Sequence, residues 1–337
     1  MVNGAVSTAA ETRITYISWA ESCSRSDHTA RELGGRSHLI YAKQFGSKAS
    51  TILLKYAAQW IRTARVLRAE QPDVVFVMTP PLFAALPALL YTRKRGKRLV
   101  LDAHSAAFLH PRWRRFQGAQ RALCRKAATT LVHNDHMAAL VREAGGHATL
   151  VPDVPIEFPG REPFLRPRNF TVAVVCSFNY DEPIREILEA AAAVPDVQFF
   201  MTGNPRHLDP ALTKSLPSNV TLTGFLSTPA YGGLLTDADA VLTLTTRDHT
   251  MLRGAYEAIY QGTPVIVSNW PILRDAFPIG ALHVDNSPSQ IGAAIRNLKS
   301  GLEEYREGAL RLRESKLERW QSIAAAIRAR INPTSAL

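Results

Sequence analysis

The sequence predicts an α/β protein built from two doubly wound domains, each a parallel sheet covered by helices. Three observations carry that expectation. Short β-rich runs alternate with helical stretches through both halves of the 337 residues, which is the pattern of strands joined by crossover helices. Runs such as DVVFVM (73–78), FTVAVVC (170–176) and PVIVS (264–268) are almost wholly apolar, as strands buried on both faces must be. Five prolines fall within 152–168, a natural linker. The expected organisation is a first domain at 1–151, this linker, a second domain at 169–300 and a charged helical segment at 301–337.

Composition narrows the function. Apolar residues make up 46% and charged residues 20% of the chain, so a sizeable core can form. Cys23, Cys124 and Cys176 lie far apart, which argues against a disulfide framework or a zinc site and for a reducing compartment. The first residues, MVNGAVSTAAETR, lack the basic start and apolar core of a secretory signal. The longest apolar run, 80–91, is too short to span a bilayer and holds three prolines. The protein is expected in the cytoplasm or on the inner face of a membrane. Residues 1–165 hold 23 Lys+Arg against 12 Asp+Glu, whereas residues 166–337 hold 17 of each, so the first half carries the whole net charge of +11. Such asymmetry points to an acidic partner for one half only.

In the first half, 13–19 is a strand followed by a polar loop and a helix closing at Gly34-Gly35. No dinucleotide glycine fingerprint follows this strand, which disfavours nicotinamide and flavin enzymes. Residues 51–70 read as an amphipathic helix with Ile52, Ala57, Ile61, Ala64 and Leu67 on its packed face. Lys55, Arg62, Arg65 and Arg68 lie on the other face, with Lys48 before it. Further basic groups follow at 93–98 and 112–126, the latter beside Trp113 and Phe116, a composition suited to an anionic membrane surface. The strand 98–101 runs into Asp102-Ala103-His104, which sets a carboxylate and an imidazole at i and i+2 on the carboxyl edge of the sheet. Residues 127–132 form the last strand before the helix 135–144.

In the second half, strands are expected at 170–176, 197–202 and 220–223. Asp237-Ala238-Asp239 leads straight into a strand and reads as a structural turn, not a metal site. The stretch 241–275 forms a strand, a polar loop, a helix from Arg253 to near Gly262, and a further strand. Its loop and first helical turn gather Arg247, Asp248, His249, Thr250, Arg253 and Glu257 where α/β sheets bind ligands. A helix N-terminus there suits a phosphate.

The run Glu257-Ala258-x-x-x-Gly262-Thr263-Pro264-Val265-Ile266 resembles the nucleotide-sugar signature of the family 4, or group 1, glycosyltransferases. The resemblance implies the GT-B fold, two Rossmann-like domains facing across a cleft, and transfer of a sugar, a hexose above all, from a nucleoside diphosphate. A UDP-sugar is the favoured donor. The acceptor would be a glycan, glycolipid or polyprenyl-linked molecule of polysaccharide biosynthesis. Glu257 matches the family glutamate that holds the donor ribose. The preceding family glutamate, which holds the sugar, is His249 here, a departure that leaves sugar specificity and stereochemistry open.

By the same resemblance Ser177, Asn179, Arg247, Thr250, Met251 and Arg253 would meet the donor, chiefly its pyrophosphate. Gly203 ends a strand at that edge, and Gly224, Phe225 and Leu226 would meet the nucleobase. Ser24 and Arg25 would face the acceptor or donor phosphates, and Asp102 or His104 would act at the reacting centre. No cofactor or metal is implied, and no nucleic-acid motif appears. Two alternatives stay open: a nucleotide-sugar 2-epimerase, which shares the fold, and a non-enzymatic basic module that docks on a membrane or nucleic acid.

Overall fold

A computed structural model describes residues 12–46, 50–248 and 250–332. The chain divides into two compact units, Met1–Pro155 with Arg319–Leu337, and Ile156–Glu318.

Unit 1 contains β1 (Ile14–Ser18), α1 (Ser24–Glu32), β2 (Arg36–Leu39), α2 (Ile52–Glu70), β3 (Val74–Thr79), α3 (Ala85–Arg95), β4 (Arg98–Ala103), α4 (Ala106–Leu109), α5 (Gln117–Lys126), β5 (Thr129–Val132), α6 (Asp135–Glu143) and β6 (Ala148–Leu150). The strands form one sheet in the order β2-β1-β3-β4-β5-β6, and every pairing is parallel. Successive strand residues point to opposite faces. Ile17, Val75, Val77 and Leu101 therefore pack against α2, α3, α5 and α6, while Tyr16, Phe76, Val100 and Leu131 pack against α1 and Trp320, Ala324, Ile327 and Ile331.

Unit 2 contains β7 (Phe170–Val174), α7 (Ile184–Ala192), β8 (Val197–Thr202), α8 (Pro210–Lys214), β9 (Val220–Gly224), α9 (Thr228–Asp237), β10 (Ala240–Thr243), α10 (Arg253–Gln261), β11 (Val265–Ser268), α11 (Pro271–Ala276), β12 (Ala281–Val284), α12 (Pro288–Ser300) and most of α13 (Leu302–Ile331). Its sheet is parallel throughout, in the order β12-β11-β10-β7-β8-β9. One face packs on α7 and α12, the other on α9, α10, α11 and the start of α13.

The proline-rich stretch is held against unit 2 over much of its length. Ile156 and Phe158 are buried in its core, Glu162 N donates to Pro229 O at 3.1 Å, and Phe164 N donates to Asp237 Oδ2 at 2.7 Å. Asp239 is likewise structural: its carboxylate accepts from Thr171 N at 2.9 Å and pairs with Arg166 at 2.6 Å and Arg306 at 2.8 Å. No helix of the described residues is long and apolar enough to cross a membrane.

The expected facing of α2 holds only in part: Leu67 is buried and Arg62, Arg65 and Arg68 are exposed, but Lys55 is buried and Ala57 and Ile61 are exposed. Its buried residues are Lys55, Gln59, Thr63 and Leu67, whereas Leu53, Leu54 and Ile61 are 78%, 58% and 51% exposed. Each buried polar side chain makes at least one hydrogen bond, although Gln59 Oε1 has no partner. Lys55 Nζ donates to Gly46 O at 3.1 Å, Gln59 Nε2 to Ile40 O at 2.7 Å, and Thr63 Oγ1 accepts from Trp19 Nε1 at 2.9 Å. Periodicity gave the right element but only part of its facing, because Lys55 and Gln59 turn inward to the carbonyls of the loop after β2. Lys48 lies outside the described residues.

Candidate functional site

In unit 2 the strand order reverses between β7 and β10, and the carboxyl ends of two such strands form the usual binding crevice of an open α/β sheet. The loops after β7 and β10 meet there: Thr246 N donates to Asp181 O at 2.7 Å. The start of α10 sits against β7, since a Cβ on Gly254 would lie 2.6 Å from Val175 Cγ1. Only glycine permits that approach. The cap residue, Leu252, supplies no side-chain hydrogen bond to the helix, so the N-terminal amides keep their capacity for an anion.

Glu257, one turn into α10, is 5% exposed. It accepts from Tyr231 Oη at 2.6 Å and from Arg253 Nε at 2.5 Å. Arg253 itself is 56% exposed, so a buried carboxylate is presented beside a solvent-facing cation. Burial first, and then the Glu257 charge, push the Tyr231 hydroxyl well above its ordinary pKa. It therefore stays a donor and orients the carboxylate.

The other expected donor residues are dispersed along this edge. Thr250 is half-buried and Met251 is exposed, and His249 lies outside the described residues. The guanidinium of Arg247 lies over the Tyr180 ring, 4.7 Å from its centroid. Ser177 N and Asn179 N both donate to the Glu182 carboxylate at 2.8–3.0 Å, so these two amides already hold an anion belonging to the chain. Gly203, at φ +100°, lies where a Cβ would be 2.5 Å from Cys176 O, which makes it a packing requirement of the β7–β8 edge. Gly224 closes β9 at φ +69°, Phe225 is 80% exposed, and Leu226 packs partly against the core.

Unit 1 carries a second polar cluster. Asp102, on β4, is 1% exposed. Its Oδ2 accepts from Tyr16 Oη at 2.5 Å and from Arg25 Nε at 3.1 Å. Arg25 is anchored again through Nη2 to Val151 O at 3.1 Å. Burial opposes ionisation of Asp102, but the Arg25 guanidinium, His104 and the Tyr16 hydroxyl together hold its pKa below the ordinary carboxylate value. His104 is half-buried. Burial lowers its pKa despite Asp102, so the imidazole is neutral near pH 7, and its Nε2 has no hydrogen-bond partner, as is true of the Ser24 hydroxyl. His133, immediately after β5, lies within electrostatic reach of Arg25 and His104.

Of the residues expected from sequence, the structure thus joins Arg25 to Asp102 and Arg253 to Glu257. Sequence reasoning missed Tyr16, Tyr231, Glu182 and His133. His133 alone left a signal, since it ends a strand as His104 does; the two tyrosines lie inside regular elements, far along the chain from their partners.

Two parallel six-stranded sheets covered by helices constitute the GT-B fold. A profile of the glycosyl transferase 4-like domain matches residues 23–155. The chain is similar to sucrose-phosphate synthase from Thermosynechococcus elongatus, at 14% identity and TM-score 0.64, over 94% of this chain and 97% of that one. It is similar to HepE from Anabaena in complex with UDP and glucose, at 14% identity and TM-score 0.64, over 97% and 100%. A putative UDP-N-acetylglucosamine 2-epimerase from Listeria monocytogenes aligns at 14% identity and TM-score 0.56, over 90% and 91%. No curated protein sequence matches the chain. The resemblance to group 1 glycosyltransferases therefore holds: the chain has the GT-B fold and carries a glycosyl transferase 4-like domain.

Proposed function

We propose that the chain is a glycosyltransferase that moves a sugar, a hexose in the first instance, from a nucleoside diphosphate donor to a glycan or lipid-linked acceptor. Unit 2 binds the donor and the basic unit 1 binds the acceptor at a membrane face. The observation that carries this reading is Glu257, a buried carboxylate oriented by Tyr231 and Arg253 at the start of α10. A carboxylate so held accepts both hydroxyls of a ribose. Arg253 and the helix N-terminus at Thr250-Met251 neutralise the charge that grows on the leaving diphosphate. His249, in the place of the family's sugar-binding glutamate, contacts the sugar. The similarity to HepE, solved with UDP and glucose, favours UDP as the nucleotide.

In unit 1, Asp102 positions Arg25 and does not itself take a proton, since its carboxylate is clamped by Tyr16 and Arg25, which hold its pKa below the ordinary carboxylate value. His104, neutral and with a buried, unpartnered Nε2, is the group a sugar or acceptor hydroxyl would satisfy on entering this edge. The chemistry invokes no metal or other cofactor.

The test is calorimetry with UDP-, GDP- and dTDP-sugars on the native chain and a Glu257→Ala variant. Micromolar binding of one nucleotide class, lost in the variant, supports the reading. Unchanged affinity in the variant removes the ribose assignment. Turnover of the donor without any acceptor would move the reading to a nucleotide-sugar 2-epimerase.

A further inference from the structure

With Leu53, Leu54 and Ile61 of α2 exposed, unit 1 has a hollow, apolar outer face. Three depressions run along it. The middle one, about 330 Å³, is lined by Trp19, Tyr56, Trp60 and Phe83 with the aliphatic Ala57 and Ile61. A second, about 390 Å³, shares Trp60 and is edged by Arg68, Lys94 and Arg95. The third, about 240 Å³, shares Trp19 and Tyr56 and is edged by Lys55 and Arg112. The aromatic wall is continuous, with Trp19–Tyr56 centroids at 5.6 Å and Tyr56–Phe83 at 5.2 Å. No acidic side chain lines any of the three.

We infer that this groove binds a single lipid phosphate molecule, its alkyl or prenyl chain lying against Trp19, Tyr56, Trp60 and Phe83 and its anionic head meeting the exposed Arg112 at the groove's basic edge. The inference rests on the reading of unit 1 as the acceptor-binding unit and names the class of acceptor. The central hollow offers carbon where a glycan would need hydroxyl partners. Its cationic ends complement a phosphate, whereas a second copy of this chain would set Arg68, Lys94 and Arg95 against their own kind. A hollow between aromatic rings receives one alkyl chain. The face is too apolar for solvent: Ile61 is 51% and Leu54 58% exposed beside it, so covering it is favourable.

The experiment titrates the full chain with decyl and dodecyl phosphate below their micelle thresholds, following the fluorescence of the tryptophans that line the groove. Dodecyl maltoside and dodecyltrimethylammonium serve as head-group controls. Saturable one-to-one binding is expected, with each added methylene tightening it about fourfold. The phosphate should bind at least tenfold more tightly than the maltoside, and the ammonium weakest. Ile61→Glu, at an exposed position, should weaken dodecyl phosphate at least tenfold, and Arg112→Ala should erase the preference for phosphate over maltoside. Equal binding of all heads, no dependence on chain length, or an unaffected Ile61→Glu protein would overturn the inference. So would binding to phosphatidylglycerol vesicles alone, which would mean a bilayer surface, or a dimer in sedimentation that Ile61→Glu dissociates. UDP-sugar calorimetry on the same Ile61→Glu protein separates the two readings. Loss of lipid with the donor retained bears on this groove, and failure of donor binding in a chain that holds dodecyl phosphate bears on the enzyme assignment.

Discussion

Each unit buries one carboxylate between a tyrosine and an arginine, and the two arrangements differ in what they leave free. Asp102 in unit 1 is bonded to Tyr16 and Arg25, and Arg25 is 23% exposed and tied a second time to Val151 O. Glu257 in unit 2 is bonded to Tyr231 and Arg253, and Arg253 is 56% exposed. The first pair is closed on itself. The second keeps its cation in solvent, ready to exchange its partner for a ligand. A shared constellation thus gives a structural clamp where both groups are anchored and a binding site where one is not.

The largest expected effect breaks the clamp. Arg25→Ala leaves Asp102 charged, buried and unpaired, which should cost about 3–5 kcal/mol in urea denaturation. The equivalent change in unit 2, Arg253→Ala, also leaves a buried carboxylate, but should cost less in the same measurement, because the lost cation is half in solvent and its attraction already screened. Equal losses would erase the distinction.

Glu257→Ala should weaken nucleotide binding about 100-fold, or ~3 kcal/mol, by calorimetry. Asp102→Asn should leave nucleotide affinity unchanged while lowering stability.

The clamp also has a pH signature. Asp102 is held below the ordinary carboxylate pKa in the folded chain, so its stabilisation is present above the unfolded value of about 3.9. It is lost as pH falls through the folded value. The stability gap between the native chain and Asp102→Asn should be constant near neutrality and shrink below about pH 4. A gap that persists into that range would mean the carboxylate is not ionised in the fold.

A smaller effect is expected for Tyr231→Phe, which removes one hydrogen bond to Glu257. Nucleotide affinity should fall about fivefold, or ~1 kcal/mol. A chelator should have no effect on transfer rate; a loss of activity in EDTA restored by a divalent ion would require a metal in the mechanism.

Much of the fold was legible in the sequence. The apolar runs at 73–78, 170–176 and 264–268 became β3, β7 and β11, because a strand buried on both faces has little choice of composition. The end-of-strand rule found Asp102 and His104, and the helix after β10 delivered Arg253 and Glu257 at i and i+4, a spacing the helix alone brings together. These are local facts, fixed within a few residues.

What the tertiary structure decided is non-local. Tyr16 and Asp102 are 86 residues apart in the chain, and Tyr231 and Glu257 are 26 apart; no periodicity carries such pairings. The backbone amides of Ser177 and Asn179 were open in the sequence and are taken by Glu182 in the fold. The phase of α2 was settled by the carbonyls of Ile40 and Gly46 that Gln59 and Lys55 reach. Buried backbone groups need partners, and Gln59, turned inward, supplies one to the buried Ile40 carbonyl while Leu53 and Leu54 face out. The strands follow from what each residue is; the sites follow from which distant polar groups must satisfy one another.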